Sequence, residues 1–570
     1  MKSAYWDKWW RTRATRRRLL AGGGLTAAGA ASFALVGCGN DDDDDDTVAP
    51  TPANGETPTP ANGDGPQTGG TLTQVAGPIG SLLDPHRTNT PLESAGIWHR
   101  AGNFLVRFSA EDPHLPEADL AESMPEILDD GTRLVFKLHP EANFQDREPV
   151  NGRNVVADDV KATFERIMAE ETTSPRRGNY LNVESIDAID DHTVEFRLRI
   201  PQADLLAAMG DQYDLIIPQE IAERGMDAVR GPEDVIGSGP YELVAFEAGE
   251  RIEMRRRPDG YWKPNTVWID EWECINMVDM QQRANALRTG QANYTDLPAD
   301  LAEAFVEDPD FYVTSAPNPT RECLLINHNR EPYTDPRVRQ ALQRAVNRQE
   351  VYDSVFAGGG MPGGPMSPAA AAWTIPDDEL ATLPGFRDRD TELTEARQLL
   401  DAAGYEDGFQ DTAVTAQAFQ VNLTNDIVVS NLAELGIQLQ TDNVGTDFAT
   451  ILQRQFERDY SLATTLFLSG IYPDAQLYIY HHSTEGSRNY GDYGDPDIDA
   501  MLEEQRGIFD YDERLSTVLD IQRRLIDEPG PVWIGSRLLI YVVHNSIQNY
   551  EATPFLAGYP LAEDAWIRQG

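Results

Sequence analysis

Strand patterns and amphipathic helix patterns alternate from about residue 70 to the C-terminus, and this alternation constrains the fold more than any other feature. Residues 71–76, 133–138 and 194–198 alternate apolar and polar side chains with a period of two, as half-buried strands do. Residues 157–168 instead place their apolar side chains on one helical face. No internal repeat of about 20–50 residues accompanies the pattern, which argues against a solenoid or a propeller. The alternation predicts a mixed α/β fold.

Helix ends are marked by residues that satisfy or terminate a helix. Asp335 and Asp495 are each followed by a proline, and an aspartate that caps free amides before a proline is typical of a helix start. Gly404 follows an apolar helical stripe and predicts a left-handed terminus. A further helix is predicted over residues 515–526, before a Pro-Gly pair.

The charge balance excludes one large class of function. The 570-residue chain has 94 acidic and 47 basic residues, a formal net charge of −47. A nucleic-acid binder needs a cationic face to displace counterions from phosphates, and this composition provides none. The hydrophobic fraction of 40% is sufficient for sizeable buried cores.

A cluster of basic residues lies at the N-terminus and precedes an uncharged segment over residues 19–37. This order predicts an export signal over residues 1–37. Residues 15–20 resemble a twin-arginine signal, whose substrates are exported already folded. Residues 35–38 resemble a bacterial lipobox, in which Cys38 is lipidated. An uncleaved membrane anchor with an incidental cysteine is the alternative, and either interpretation places the rest of the chain on the extracytoplasmic (periplasmic) side of the membrane.

The composition of residues 38–69 predicts a disordered tether. They combine six consecutive aspartates with alternating proline, threonine, glycine and asparagine. Such a segment buries too little apolar surface to offset the entropy of ordering it. A flexible stalk that holds a folded domain away from a membrane is the function that fits this composition.

The three cysteines are too few for a disulfide scaffold or a Cys-rich metal site. Cys274 and Cys323 either pair with each other or remain as free, buried thiols, and the second interpretation is favoured.

Known catalytic motifs are missing from the sequence: there is no phosphate-binding loop, zinc-protease motif, Cys-x-x-Cys or nucleophile elbow. Residues 237–240 place a serine between two glycines, but a proline and a strand pattern follow, which indicates a turn. His481 and His482 are adjacent, so their side chains point in different directions, which disfavours a shared metal ion. We therefore expect no catalytic residue, no metal and no cofactor.

A series of short sequence blocks runs along the chain. The blocks are Leu83-Asp84-Pro85-His86, residues 120–123, 130–131, 136–138 and 157–160, Gly237-Ser238-Gly239-Pro240-Tyr241, Tyr261-Trp262, residues 335–342 (the strongest), 403–405, 435–437 and 495–499. In this order the blocks resemble those of the peptide/nickel/oligosaccharide-type solute-binding proteins of ABC importers, known as family 5. The resemblance covers nearly all of residues 70–570.

The resemblance implies a two-lobed, periplasmic-binding-protein-like fold of class II, with an additional α/β domain inserted in the first half. Its expected boundaries are residues 70–112, 231–310 and 540–570 for lobe I, 113–230 for the additional domain, and 311–539 for lobe II.

The resemblance also implies a monomeric, lipid-anchored receptor that performs no chemistry. It would capture a small or oligopeptide-like ligand between the lobes and deliver it to the permease subunits of an ABC importer. We expect the ligand to contact polar or aromatic loop residues: His86, Arg87, Trp373, Gln417, Phe467, Ser469, Tyr472 and Tyr490. An extracytoplasmic hydrolase on a similar scaffold and a ligand sensor without a transport role are the alternatives.

One segment departs from the family pattern. Peptide binders of this family usually hold the amino terminus of the ligand with an aspartate shortly after an aromatic residue. Here no acid lies at that position, near Gly470. An ammonium group buried without a counter-charge is strongly unfavourable, so this segment does not by itself indicate ordinary peptide binding. Asp474 replaces the missing acid only if the loop is shifted.

Overall fold

The computed structural model describes residues 65–88, 96–108, 115–417, 420–446, 448–467, 470–554 and 565–569. Gln67–Gly570 group as one unit. The predicted export signal, Cys38, most of the predicted tether and Ser469 lie outside the described residues. Within the described ranges, no helix combines the length and the apolar character needed to cross a membrane.

Strands recur along the whole described chain. They are β1 (Thr71–Ala76), β2 (Val106–Phe108), β3 (Pro116–Ala118), β4 (Glu126–Leu128), β5 (Arg133–Lys137), β6 (Val183–Asp190), β7 (Thr193–Leu198), β8 (Tyr241–Glu247), β9 (Arg251–Arg256), β10 (Glu271–Asn276), β11 (Tyr294–Asp296), β12 (Phe311–Pro317), β13 (Arg321–Ile326), β14 (Gly360–Pro362), β15 (Gln410–Thr415), β16 (Gln438–Asn443), β17 (Leu462–Phe467), β18 (Val532–His544), β19 (Ile547–Gln548) and β20 (Trp566–Ile567).

Helices separate many of these strands. They are α1 (His99–Ala101), α2 (Ala157–Met168), α3 (Leu205–Met209), α4 (Gln219–Ala222), α5 (Met280–Arg288), α6 (Ala299–Ala302), α7 (Pro336–Ala345), α8 (Arg348–Ser354), α9 (Asp377–Leu380), α10 (Arg389–Ala403), α11 (Val421–Ala433), α12 (Phe448–Phe456), α13 (Ile479–His481), α14 (Pro496–Arg506) and α15 (Tyr511–Asp527). The predicted mixed α/β composition is therefore confirmed.

The long strand β18 connects two halves of the main sheet. Its C-terminal part pairs with β12 and β11, in a half whose order continues through β1, β10, β9 and β8; we call this half sheet 1. Its N-terminal part pairs with β13 and β14, and the order continues from β13 through β17, β15 and β16; we call this half sheet 2. The chain thus passes between the halves at residues 318–320 and again within β18, near residues 535–538.

A separate antiparallel sheet of order β4–β5–β7–β6 lies in the first part of the chain, and we call it sheet 3. Helix α2 packs on it through buried Phe164, whose ring centroid lies 5.3 Å from that of Phe196. The apolar stripe of α2 is the one that the sequence predicts, with Val160, Phe164 and Ile167 fully buried. The predicted boundaries of the lobes and of the additional domain stay predictions.

The predicted helix ends are confirmed. The Asp335 carboxylate accepts a hydrogen bond from the amide of Arg337, and Asp495 accepts from the amides of Asp497 and Ile498. Each carboxylate thereby satisfies amides that have no partner within the helix. Gly404 ends α10 in the left-handed region with a φ of 87°, which glycine adopts without steric cost.

The turn at residues 237–240 requires glycine for a steric reason. A Cβ atom on Gly239 would lie 2.6 Å from the Gly102 nitrogen, and one on Gly237 would overlap the Ala101 carbonyl. The Gly239 amide donates to that carbonyl at 2.8 Å. Ser238 is buried and donates to the Asn103 side chain at 3.1 Å, as expected for a structural turn.

In the described chain neither Cys274 nor Cys323 forms a disulfide and both are buried, so the interpretation as buried thiols is confirmed. Cys274 lies in β10 of sheet 1, whereas Cys323 lies in β13 of sheet 2. Burial raises the pKa of the Cys323 thiol, which keeps it protonated and unreactive.

Candidate functional site

Four buried aromatic side chains gather where β13, β17 and β18 of sheet 2 meet. These are Phe467, Tyr480, Tyr490 and Trp533, which we call the aromatic cluster. The ring centroid of Phe467 lies 4.7 Å from that of Tyr480, 5.7 Å from that of Tyr490 and 6.0 Å from that of Trp533. The cluster lies next to the place where the chain crosses between the sheets, because Phe467 pairs with the first residue of β13.

That first residue, Arg321, brings a cation into the aromatic cluster. Its guanidinium lies 3.8 Å from the ring centroid of Trp533, a cation–π contact. It donates to the carbonyls of Pro365 and Gln476, and among the described residues no carboxylate pairs with it. Arg321 is 1% exposed, and burial lowers its pKa to about 10. A buried cation without a counter-charge is costly, so this guanidinium is suited to attract an anionic group.

Several buried polar atoms around Arg321 lack a hydrogen-bond partner among the described residues. They are Arg321 Nε, Trp533 Nε1, Tyr493 Oη and both ring nitrogens of His481. The His481 ring lies 6.1 Å from that of Trp533 and 5.8 Å from that of Tyr493. Burial, and secondarily Arg321, lowers the pKa of His481 to about 3, so its ring is neutral. Buried polar groups normally have partners, and this unpaired set is therefore suited to hold polar groups of a ligand.

A second group of buried contacts involves the chain that follows sheet 3. The Asp204 carboxylate pairs with Arg514 at 2.6 Å and accepts from the amide of Asp474 at 2.5 Å. The Ala203 amide donates to the Arg506 carbonyl at 2.8 Å. The Asp204 and Arg514 side chains are 2% and 5% exposed. These contacts, which we call the Asp204 contact, join residues that are about 270–310 positions apart in the chain.

Asp474 is engaged inside the protein. Its carboxylate accepts from Gln505 at 2.7 Å and from Arg506 at 2.8 Å. Burial and the neighbouring charge of Asp204 raise the pKa of Asp474 to about 6. The carboxylate of Asp474 is thus used in a structural network, so the loop shift that would let it replace the acid missing near Gly470 is not seen.

Tyr472 packs in one core with Ala207 and Ala208 of α3, close to the Asp204 contact. Burial raises its pKa well above the usual range, and the charges of Asp211 and then of Asp204 and Asp214 raise it further. The pKa of Arg488 is also raised, mainly by Tyr480 and to a smaller extent by Tyr472. Tyr472 is therefore close to the acidic residues that follow sheet 3.

His86 and Arg87 lie away from the aromatic cluster. The His86 ring is fully buried, with Nε2 3.0 Å from the Leu215 carbonyl and Nδ1 2.6 Å from Arg166. Burial, and then the positive charge of Arg166, holds the pKa of His86 well below its usual range, so the ring is neutral. Arg87 is partly buried and donates to the Met226 carbonyl at 3.3 Å.

The structure brings together some of the other predicted residues. Phe467 and Tyr490 belong to the aromatic cluster, while Tyr472 and Trp373 share a neighbouring core with the residues around Asp204. Gln417 is exposed at the end of β15. The assignment of all eight residues to the ligand cleft stays a prediction.

Sequence reasoning missed Arg321, Asp204 and the acids that follow it. The only signal for Arg321 is its position beside Glu322 at the start of a strand whose remaining residues, Cys323-Leu324-Leu325-Ile326, are apolar. No comparable signal exists for Asp204, since its partners lie about 300 residues away in the sequence.

Comparisons with known proteins agree with this architecture. The family model of the bacterial extracellular solute-binding proteins, family 5, matches residues 116–490. Protein XP55 of Streptomyces lividans is 26% identical over 495 residues, which cover 83% of this chain and 86% of that protein. The glutathione-binding protein GsiB of Salmonella paratyphi A is 25% identical over 334 residues, which cover 58% of this chain and 61% of that protein.

A solved structure shows the same fold. The periplasmic binding protein DppA of Helicobacter pylori, in complex with the peptide STSA, superposes with a TM-score of 0.71. The two chains are 22% identical, and the match covers 88% of this chain and 99% of that one. The predicted two-lobed, periplasmic-binding-protein-like fold is therefore confirmed. Because the family model covers more than half of the sequence, this chain belongs to family 5 of the bacterial extracellular solute-binding proteins.

Proposed function

We propose that this chain is the lipid-anchored substrate-binding component of an ABC import system. It captures a peptide-like or other oligomeric nutrient in the cleft between its lobes and delivers it to membrane permease subunits. It acts as a monomer and performs no chemistry on the ligand. The predicted alternatives, a hydrolase and a sensor, have no comparable support, because the family is defined by solute binding.

The observation that carries this proposal is the set of unpaired polar atoms around Arg321, beside the aromatic cluster. Ligand sites are mostly apolar and carry a few convergent polar groups, and this arrangement has both properties. This set of polar atoms lies next to the crossing between the sheets, and a ligand bound there would contact both lobes. The relatives that bind glutathione and the peptide STSA support a peptide-like cargo.

The Asp204 contact supports a closing mechanism. It joins the predicted additional domain, which contains Asp204, to predicted lobe II, which contains Asp474 and Arg514, so it forms only when these two parts approach each other. A ligand that binds the closed state better shifts the equilibrium towards it. The closed form then presents its surface to the permease.

The binding role can be tested with peptides and one aromatic variant. We expect the full-length protein to retain peptides from a chymotryptic digest of casein, measured by mass spectrometry after washing and denaturation. Phe467→Ala should reduce retention by about tenfold or more, because it removes a buried aromatic anchor. Phe409→Ala removes a ring on another side of sheet 2, so it should leave retention unchanged. Retention by Phe467→Ala at the wild-type level would contradict the cleft assignment.

The lipid anchor is tested at Cys38. Membrane fractions of cells that express the wild-type chain should contain a protein whose mass begins at Cys38 and includes acyl chains. Cys38→Ala should remove this mass and release the protein from the membrane fraction, because the chain then lacks the thiol that carries the lipid. A Cys38→Ala protein that stays in the membrane fraction would favour the uncleaved-anchor alternative.

A further inference from the structure

We propose that Asp211 and Asp214 form a subsite for an organic cation of the ligand that carries N–H donors, a primary ammonium or a guanidinium group. This inference rests on the proposed function and assigns the charge of the cargo. The two acids follow α3, whose Ala207 and Ala208 pack in one core with Tyr472.

The Asp214 carboxylate is buried but incompletely bonded. Asp214 as a whole is 0% exposed. The Tyr180 hydroxyl donates to Oδ2 at 2.6 Å, whereas Oδ1 has no hydrogen-bond partner among the described residues. Leaving a buried acceptor unpaired is unfavourable, so Oδ1 is poised to accept from a donor that comes from outside the fold.

Neighbouring acids show how unusual this pair is. Asp204 and Asp474 are buried in the same region, and each has an arginine partner, Arg514 at 2.6 Å and Arg506 at 2.8 Å. In the described chain, neither Asp211 nor Asp214 forms an ion pair. The described chain therefore places no cation within ion-pair distance of this acidic pair to balance its charge when it ionises.

The local electrostatics agree with this assignment. Burial raises the pKa of Asp214, and the nearby Asp211 raises it further, to about 8; burial also raises the pKa of Asp211. Arg176 lowers both values only in part, since its guanidinium stacks on Tyr213 at 3.5 Å and donates to the Thr88 carbonyl. A cation placed beside the pair would favour the ionised carboxylates, because opposite charges stabilise each other at short range.

The position of the pair also explains how this chain dispenses with an acid near Gly470. A Cβ atom on Gly470 would lie 2.5 Å from Cε1 of Tyr472, so the tyrosine ring occupies the space that an aspartate side chain would need. That ring is close enough to Asp211 and Asp214 for their charges to raise its pKa. Asp211 and Asp214 thus take the place of the missing acid from a different part of the chain.

The test uses the full-length protein and two forms of one peptide mixture. One form is a chymotryptic digest of casein at pH 8, and the other is the same digest after complete acetylation of its amino groups. We expect the wild type to retain far fewer peptides from the acetylated form. Any acetylated peptides that it does retain should contain arginine, which would identify guanidinium as the group that binds.

The variants separate charge from shape. Asp214→Asn preserves the shape of the side chain, and Asp211→Asn changes a more exposed position, so at least one should fold like the wild type. Each is expected to reduce retention of the untreated digest by about tenfold or more, as for loss of one member of a buried charge pair. Asp158→Asn, which changes an exposed carboxylate on α2, is the matched control and should change nothing.

Two results would overturn the inference while the proposed function stands. One is equal retention of acetylated, arginine-free peptides by the wild type, and the other is wild-type retention by both folded variants. If the wild type retains neither form of the digest, the proposed peptide-binding function itself fails. The two failures are distinguishable because the wild type still retains peptides in the first case and retains none in the second.

Discussion

Replacing Asp204 with alanine is expected to weaken ligand binding by about 100-fold or more, which corresponds to the roughly 3–5 kcal/mol lost when a buried ion pair is broken. The variant leaves the Arg514 guanidinium buried without its partner and removes the acceptor of the Asp474 amide. In an open state water reaches these groups, so the cost falls mainly on the closed state. Stabilisation of the closed state is the step through which a ligand gains affinity.

The Asp204→Ala effect is measured by titrating the variant with a peptide that the wild type retains. Small-angle scattering with and without that peptide reports whether the lobes still close. Asp158→Ala, an exposed carboxylate on the same part of the chain, should bind as the wild type does. A variant that binds normally and closes normally would show that the Asp204 contact does not control closure.

Replacing Arg166 with alanine should lower the free energy of unfolding by about 3–5 kcal/mol, because it leaves a buried acid without its partner. Arg166 forms a bidentate ion pair with the fully buried Asp84, donates to His86 Nδ1 at 2.6 Å, and donates to the Gly225 carbonyl at 3.1 Å. This single guanidinium therefore ties α2 to the loop that follows β1. Asp84 and His86 are both fully buried, so water cannot replace the guanidinium beside them.

The Arg166 prediction is checked by urea unfolding followed by circular dichroism. Arg230→Ala provides the matched control, because its ion pair with Asp227 is exposed on both sides and should contribute at most about 1 kcal/mol. Equal stability of the Arg166→Ala and Arg230→Ala proteins would mean that the buried ion pair makes no net contribution.

The local elements could be predicted from the sequence because their causes are local. The stripe on α2, the aspartate caps of α7 and α14 and the glycine terminus of α10 each depend on residues within a few positions of one another. Strand β1 was predictable for the same reason, since alternation of side chains between two faces is a property of a single segment.

The candidate site was less accessible to sequence reasoning. Phe467 and Tyr490 were expected in the cleft, and the fold places both in one aromatic cluster. His86 was expected there too, but the fold gives both of its ring nitrogens partners in the core. Sequence reasoning could not separate these cases, because a polar or aromatic loop residue has the same local pattern in either setting.

The mixed α/β class, the ends of the principal helices and the family resemblance could all be predicted from the sequence, since each depends on short patterns or on their order. Which charges remain without partners depends on the tertiary structure. Arg514 neutralises Asp204, and Arg506 neutralises Asp474, whereas Arg321, Asp211 and Asp214 have no such partner among the described residues. The physical reason is that ion pairing acts over a few ångströms in space, between residues that the chain separates by up to several hundred positions.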